Sequence, residues 1–159
     1  MSSLHHNLKP DTRIVNPSQC RVVSAIAIPS DARGVWAVVG NFGGFQAFIP
    51  ALESTEVTGS GPGSVRRKQF KDGNVVVEQL NSCDDEALFM TWTLIHTSLP
   101  VGSLWAAMTV EPAGHEQCIA TWTIVADPLP DSPESPSAFE AFLQGFADDA
   151  MRNVGKLFS

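Results

Sequence analysis

Ser135 to Phe158 reads SPSAFEAFLQGFADDAMRNVGKLF, and its spacing sets the fold. Phe139, Phe142, Leu143, Phe146, Ala150, Val154, Leu157 and Phe158 recur mostly at steps of three and four, the apolar face of one long amphipathic helix. Ser137 with Glu140 forms a capping box at its start, and Ser135 with Pro136 offers an earlier cap. A stripe this rich in phenylalanine needs a broad apolar surface to lie on. Strand-like sequence between Val22 and Ala126 can supply it. The expected architecture is a curved antiparallel sheet wrapped around the helix, with a cavity between them.

Upstream, Cys20 to Ile28 (CRVVSAIAI) is rich in β-branched residues and ends at Pro29, which marks a strand. Ser30 can cap a short helix through Val35, Trp36 and Val39, stopped by Gly40. After Gly43-Gly44, Phe45 to Ile49 is expected to form a second short helix before Pro50. Strand candidates then follow at Leu52–Val57, Ser64–Lys71, Val75–Cys83, Ala87–Thr97, Ser103–Glu111 and Gln117–Ala126. Asp72-Gly73 is a hairpin signal, and Gly59 to Gly63 reads as a mobile lip over the cavity. Asp127 to Pro136 holds four prolines and forms a stiff connector. Strands followed by a packed helix are an α+β layout.

With 159 residues, the chain is expected to form a loose leader over 1–18 and one domain over 19–159. A hydrophobic content of 43% suits a globular core. The formal charge of −7 argues against nucleic acid and anionic membranes as partners. No apolar run reaches membrane-spanning length. Cys20, Cys83 and Cys118 are odd in number and far apart, which fits reduced packing thiols in a cytoplasmic protein. Two adjacent histidines, His5 and His6, lack a further ligand for a metal site.

Taken in order, the segments VWAVVGNFGGFQAFIPAL, GPGSVRRKQFKDG, VVEQLNSCDDE, LIHTSLPVGSLWAAMTVEP, ATWTIVADP and the terminal helix resemble the SRPBCC superfamily. The likeness is to its helix-grip, START and birch-pollen-allergen-like members, in the polyketide cyclase/dehydrase and lipid-transport branch. It implies a seven-stranded sheet gripping the C-terminal helix, two short helices after the first strand, and an internal apolar pocket. Two departures separate the chain from the similar abscisic-acid receptors. Ile49 stands where those receptors carry a hormone-contacting lysine, and the short Lys71 to Asn74 turn replaces their gating loop. His96 and His115 do not make the iron site of the Rieske oxygenase branch.

Alternation assigns inward-facing residues. Arg66, Lys68 and Phe70 share one face of their strand, and Val76, Glu78 and Leu80 share one face of the next. A strict two-residue turn would set Lys68 opposite Val77, whereas a bulge at Gly73 sets it opposite Glu78. The Glu-Gln-Leu likeness favours the bulged register. Lys68, Glu78 and Arg66 then either form a buried charged group or reach the cavity mouth and stay solvated. Met90, Trp92, Leu94 and His96 share a face, and His96 is either an acid/base group or a histidine satisfied by a backbone carbonyl. Trp92 and Trp122 point inward with Phe142 and Phe146, while Trp105 alternates with Leu104 and Ala106. Aromatic walls of this kind suit a flat hydrophobic ligand or plain core packing.

The resulting expectation is a cofactor-independent cyclase, dehydratase or isomerase of secondary metabolism, acting on a small hydrophobic, aromatic or polyketide-like metabolite. Glu78, Lys68 and His96 would move protons. Arg66, Phe70, Val76, Leu80, Trp92, Leu94, Leu104, Trp122, Phe142 and Phe146 would hold the ligand. No cofactor, metal or membrane insertion is expected, and a homodimer is left open. The rival reading is a carrier or sensor of a small hydrophobic molecule that does no chemistry.

Overall fold

The computed structural model describes residues 16–159. Most of the expected leader, including His5 and His6, lies outside the described residues. Strand β1 (Cys20–Ile28) is followed by helix α1 (Ala32–Val39) and a single 3-10 turn (Phe45–Ala47). Six strands follow: β2 (Leu52–Thr58), β3 (Val65–Phe70), β4 (Val75–Asp84), β5 (Phe89–Thr97), β6 (Val101–Pro112) and β7 (Cys118–Pro128). Helix α2 (Pro136–Leu157) completes the domain. The strands form one seven-stranded antiparallel sheet in the order β1-β7-β6-β5-β4-β3-β2.

Local chemistry sets the ends of the helices. Asp31, not Ser30, caps α1, its carboxylate accepting the Gly34 N–H at 3.1 Å. An aspartate one residue nearer the helix reaches that N–H more directly than Ser30 could. At the other end, a Cβ on Gly40 would sit 2.3 Å from the Trp36 indole, so only glycine fits. The expected second helix shrinks to one turn because Gly44 and Pro50 leave room for little more. Ser135 caps α2 by accepting the Ala138 N–H at 3.1 Å, with Pro136 in the first turn. The Ser137 capping box does not form, since Ser137 already lies inside the helix.

Helix α2 buries Phe139, Leu143, Ala147, Ala150, Met151 and Val154 against β1 and β7. It thereby covers the β1 edge of the sheet. Phe142 and Leu157, expected on the buried stripe, are 43% and 50% exposed. They sit at the border of a face that is narrower than three phenylalanines suggested.

Two irregularities decide which side chains face α2. The β3–β4 connection is a three-residue turn, Lys71-Asp72-Gly73, closed by Phe70 N–H to Asn74 O at 2.8 Å. Gly73 takes φ +95°, and Asp72 accepts the Asn74 N–H at 2.9 Å. This longer turn sets Arg66 opposite Glu78 and Lys68 opposite Val76, so the expected bulged register is not formed. On β5, Ile95 is an extra residue between the Val77–His96 and Glu78–Leu94 pairs. Such a bulge reverses the facing of everything beyond it.

The concave side of the sheet is largely occupied by aromatic rings. Phe45 lies 4.7 Å from Phe48, 5.6 Å from Trp92 and 5.7 Å from Trp122, centroid to centroid. Trp92 and Trp122 meet edge to face at 5.9 Å. These are favourable aromatic geometries. The hollow expected from the sequence is therefore plugged at one end by residues of the 3-10 turn and the segment beside it.

Candidate functional site

What stays open is a cavity of about 70 Å3 at the other end of the grip, between the sheet and α2. Its walls are Phe70 from β3, Val76 from β4, Trp92 from β5, Leu104 and Ala106 from β6, Trp122 and Ile124 from β7, and Phe142, Leu143 and Phe146 from α2. Leu99 and Val101 close the side where the chain bends into β6. Lys68 and Glu78 are the charged residues on the wall.

Both charged side chains are almost completely buried, as is Arg66 behind them. Glu78 Oε1 accepts the Arg66 Nε–H at 2.9 Å and lies 2.9 Å from Lys68 Nζ. Arg66 also donates through Nη1 to the Phe42 carbonyl at 2.8 Å, and its guanidinium carbon lies 4.2 Å and 4.1 Å from the ring centres of Phe42 and Phe45. Cation–π contact of this kind compensates part of its lost hydration. Arg66 thus ties β3 to the segment after α1. Lys68 stands between that anchor and the cavity.

Burial pushes the Lys68 ammonium down to about 8, with Glu78 opposing the shift and Arg66 adding to it. Burial alone would raise the Glu78 carboxyl, but Lys68 and Arg66 together hold it below its ordinary value. One carboxylate serves two cations, so Glu78 is over-supplied with partners and Lys68 is under-supplied. Glu78 is consequently an ionised acceptor and no proton donor. Lys68 can donate a hydrogen bond, and near pH 8 it can exchange a proton.

This gives a pH prediction with a definite sign. Between pH 8 and 10.5 the unfolded chain keeps the Lys68 proton and the folded chain does not, so Lys68 makes stability rise with pH. The rise amounts to roughly 3 kcal/mol at most. The thiols Cys20, Cys83 and Cys118, pushed up by burial, act in the opposite direction. Urea denaturation of wild type and Lys68→Met should therefore show a gap favouring the variant at pH 7 that closes by pH 10.5. A gap constant across this range would exclude the assignment to Lys68.

Several expected site residues lie elsewhere. His96 is exposed and paired with outward-facing Val77, because the Ile95 bulge turns it out of the grip. It cannot act on a ligand in the cavity. Arg66 and Leu80 are buried outside the cavity wall, and Leu94 is half-buried and also outside it. The Gly59 to Gly63 loop does not line the cavity either. Gly63 is fixed to Leu80 O at 2.7 Å, at the far end of β3. Leu99, Val101, Ala106, Ile124 and Leu143 also line the cavity, and none is among the residues expected to hold the ligand. The alternation that selected Trp122 also marks Ile124, and the α2 stripe contains Leu143. Leu99 and Val101 sit in a bend that carried no such signal. Among the described residues, no cluster of histidine, cysteine or carboxylate side chains could hold a metal ion.

A curved sheet, two short elements after β1 and a gripped C-terminal helix describe one superfamily. Residues 19–158 match the family model for polyketide cyclase/dehydrase and lipid transport. The chain belongs to this family. Solved structures of the START/SRPBCC type share the fold of this polyketide cyclase/dehydrase family member. XoxI from Bacillus cereus superposes with a TM-score of 0.79 at 18% identity, covering 87% of this chain and 95% of that one. A START superfamily protein from Mycobacterium smegmatis gives 0.74 at 7% identity, covering 87% and 96%. The Zhui aromatase/cyclase from Streptomyces sp. R1128 gives 0.71 at 15% identity, covering 86% and 88%. At these identities the likeness is one of fold. No curated protein sequence matches the chain. No helix among the described residues is long and apolar enough to cross a membrane.

Proposed function

We propose that the protein binds a small hydrophobic molecule in the cavity beneath α2, with the molecule's polar end at Lys68. The observation that carries this reading is a buried ammonium–carboxylate pair on the wall of an otherwise apolar cavity. A charge pair is costly to bury and adds little stability there, so a site that retains one on the wall of an apolar hollow has a use for it. At about 70 Å3 the resting cavity is smaller than the roughly 150 Å3 that accommodates benzene in an engineered core. Binding must therefore displace a wall. Phe142 and Phe146 are the partly exposed aromatics on that wall, and α2 side chains can rotate without breaking the sheet.

A second reading is favoured by the lowered Lys68 ammonium. In its protonated form it would polarise a ligand carbonyl, and in its neutral form it would take a proton from the adjacent carbon. That is cofactor-independent cyclase, dehydratase or isomerase chemistry on an aromatic or polyketide-like metabolite. Glu78 would position the ammonium.

Binding is tested with 1-hexanol as a probe, using the fluorescence of Trp92 and Trp122. Saturable quenching or a blue shift is expected for wild type. Ala106 is fully buried on the wall, and Ala106→Leu should fill the space and weaken hexanol at least tenfold. Equal affinity in both proteins would place the probe elsewhere and end this reading. Turnover of a linear poly-β-ketone thioester by wild type, lost in Lys68→Met, would select the catalytic version.

A further inference from the structure

We infer that the ligand is a monoanion, an apolar molecule ending in a carboxylate that binds Lys68. This deepens, and rests on, the reading that the cavity binds a hydrophobic molecule. Among the described residues, the buried charged side chains are Arg66, Lys68 and Glu78. Two positive charges and one negative leave a surplus of one positive charge inside a chain whose formal net charge is −7. The single carboxylate is divided, since the same Oε1 atom meets both cations at 2.9 Å.

The two cations are not equivalent. Arg66 lies off the cavity and is held by Glu78, the Phe42 carbonyl and aromatic faces. Burial disfavours the charged form of both, but only Lys68 lines the cavity. It is the cation that a ligand in the cavity can reach, and its one ion-pair partner is shared with Arg66.

The cavity wall thus offers one ammonium and one acceptor already claimed twice. Its complement is an acceptor carrying one negative charge. A carboxylate meets that description at one end of an apolar body. A phosphate monoester, with close to two charges and more oxygens to satisfy, exceeds what one lysine can offer.

The test compares hexanoate, 1-hexanol and hexylamine, which share one apolar chain, by calorimetry and tryptophan fluorescence on wild type. Hexanoate should bind at least tenfold tighter than hexanol, and hexylamine should not bind measurably. In Lys68→Met the hexanoate preference should vanish while hexanol still binds, with circular dichroism confirming the fold. Lys68→Gln serves the same purpose should the methionine variant fail to fold. Hexanoate and hexanol binding equally well to wild type would overturn the anion assignment and leave the hydrophobic site standing. A hexanoate preference that survives both substitutions would equally overturn it. No binding of any of the three would remove the site and the assignment together.

Discussion

Glu78→Gln should cost about 3–5 kcal/mol of folding stability, the loss typical when one partner of a buried ion pair is removed. Glutamine nearly preserves the shape and keeps an oxygen for Arg66 Nε, so packing is not the cause. The cause is charge. Arg66 and Lys68 are both buried and both rely on Glu78 Oε1, and the substitution leaves two cations side by side in the core. Urea denaturation at pH 7 measures the effect. A loss below about 1 kcal/mol would mean that water reaches the group. Lys68→Met, which leaves Arg66 paired with Glu78, is expected to be stabilising at this pH. The opposite response of two residues in one salt bridge separates charge count from contact loss.

Phe45→Ala should cost a comparable 3–5 kcal/mol, for a different reason. Phe45 is completely buried and packs against Phe48, Trp92, Trp122 and the Arg66 guanidinium. Truncation removes the ring's transfer energy and leaves a void, because neighbours fixed on sheet strands cannot collapse into it. It also strips one aromatic face from a buried arginine. Because Phe45 plugs the grip behind Trp92 and Trp122, the same variant should admit longer ligands. Octanoate should gain on hexanoate relative to wild type. Denaturation together with a chain-length series checks both parts. A loss under 2 kcal/mol with unchanged length preference would show that the plug is not a structural member.

The fold was legible because its signals are local and redundant. CRVVSAIAI bounded by Pro29 can only be a strand, and β1 spans those residues. The α2 pattern persists for six turns, so the choice between a Ser137 and a Ser135 cap, settled for Ser135, affects only the first residues. The site was harder to read, because it depends on parity. Asp72-Gly73 reads as a tight turn with a bulge at Gly73, yet Gly73 sits at the end of a three-residue turn, and Lys68 pairs with Val76 instead of Glu78. Glu78 faces the grip all the same. Its partners are Arg66 directly across and Lys68 on the diagonal, a distance long side chains span. His96 shows the cost of one unseen residue. Nothing in FMTWTLIHT marks Ile95 as a bulge, since the local sequence is equally suited to an unbroken strand. The sequence of Phe45 to Ile49 suits a short helix, and its periodicity carries no sign that Phe45 and Phe48 turn inward and fill the grip. Occupancy of a cavity is decided by side chains far apart in sequence, where no spacing rule applies.

The sheet order has a temporal meaning. Each strand from β2 to β7 lies beside its neighbour in sequence, but β1 pairs only with β7. During synthesis from the N-terminus, β1 therefore waits unpaired until residues up to Pro128 have emerged, and its exposed edge is covered only when α2 follows. Closing that long loop is the entropically expensive step. Until then the ribosome-bound chain carries an apolar strand with no place to dock.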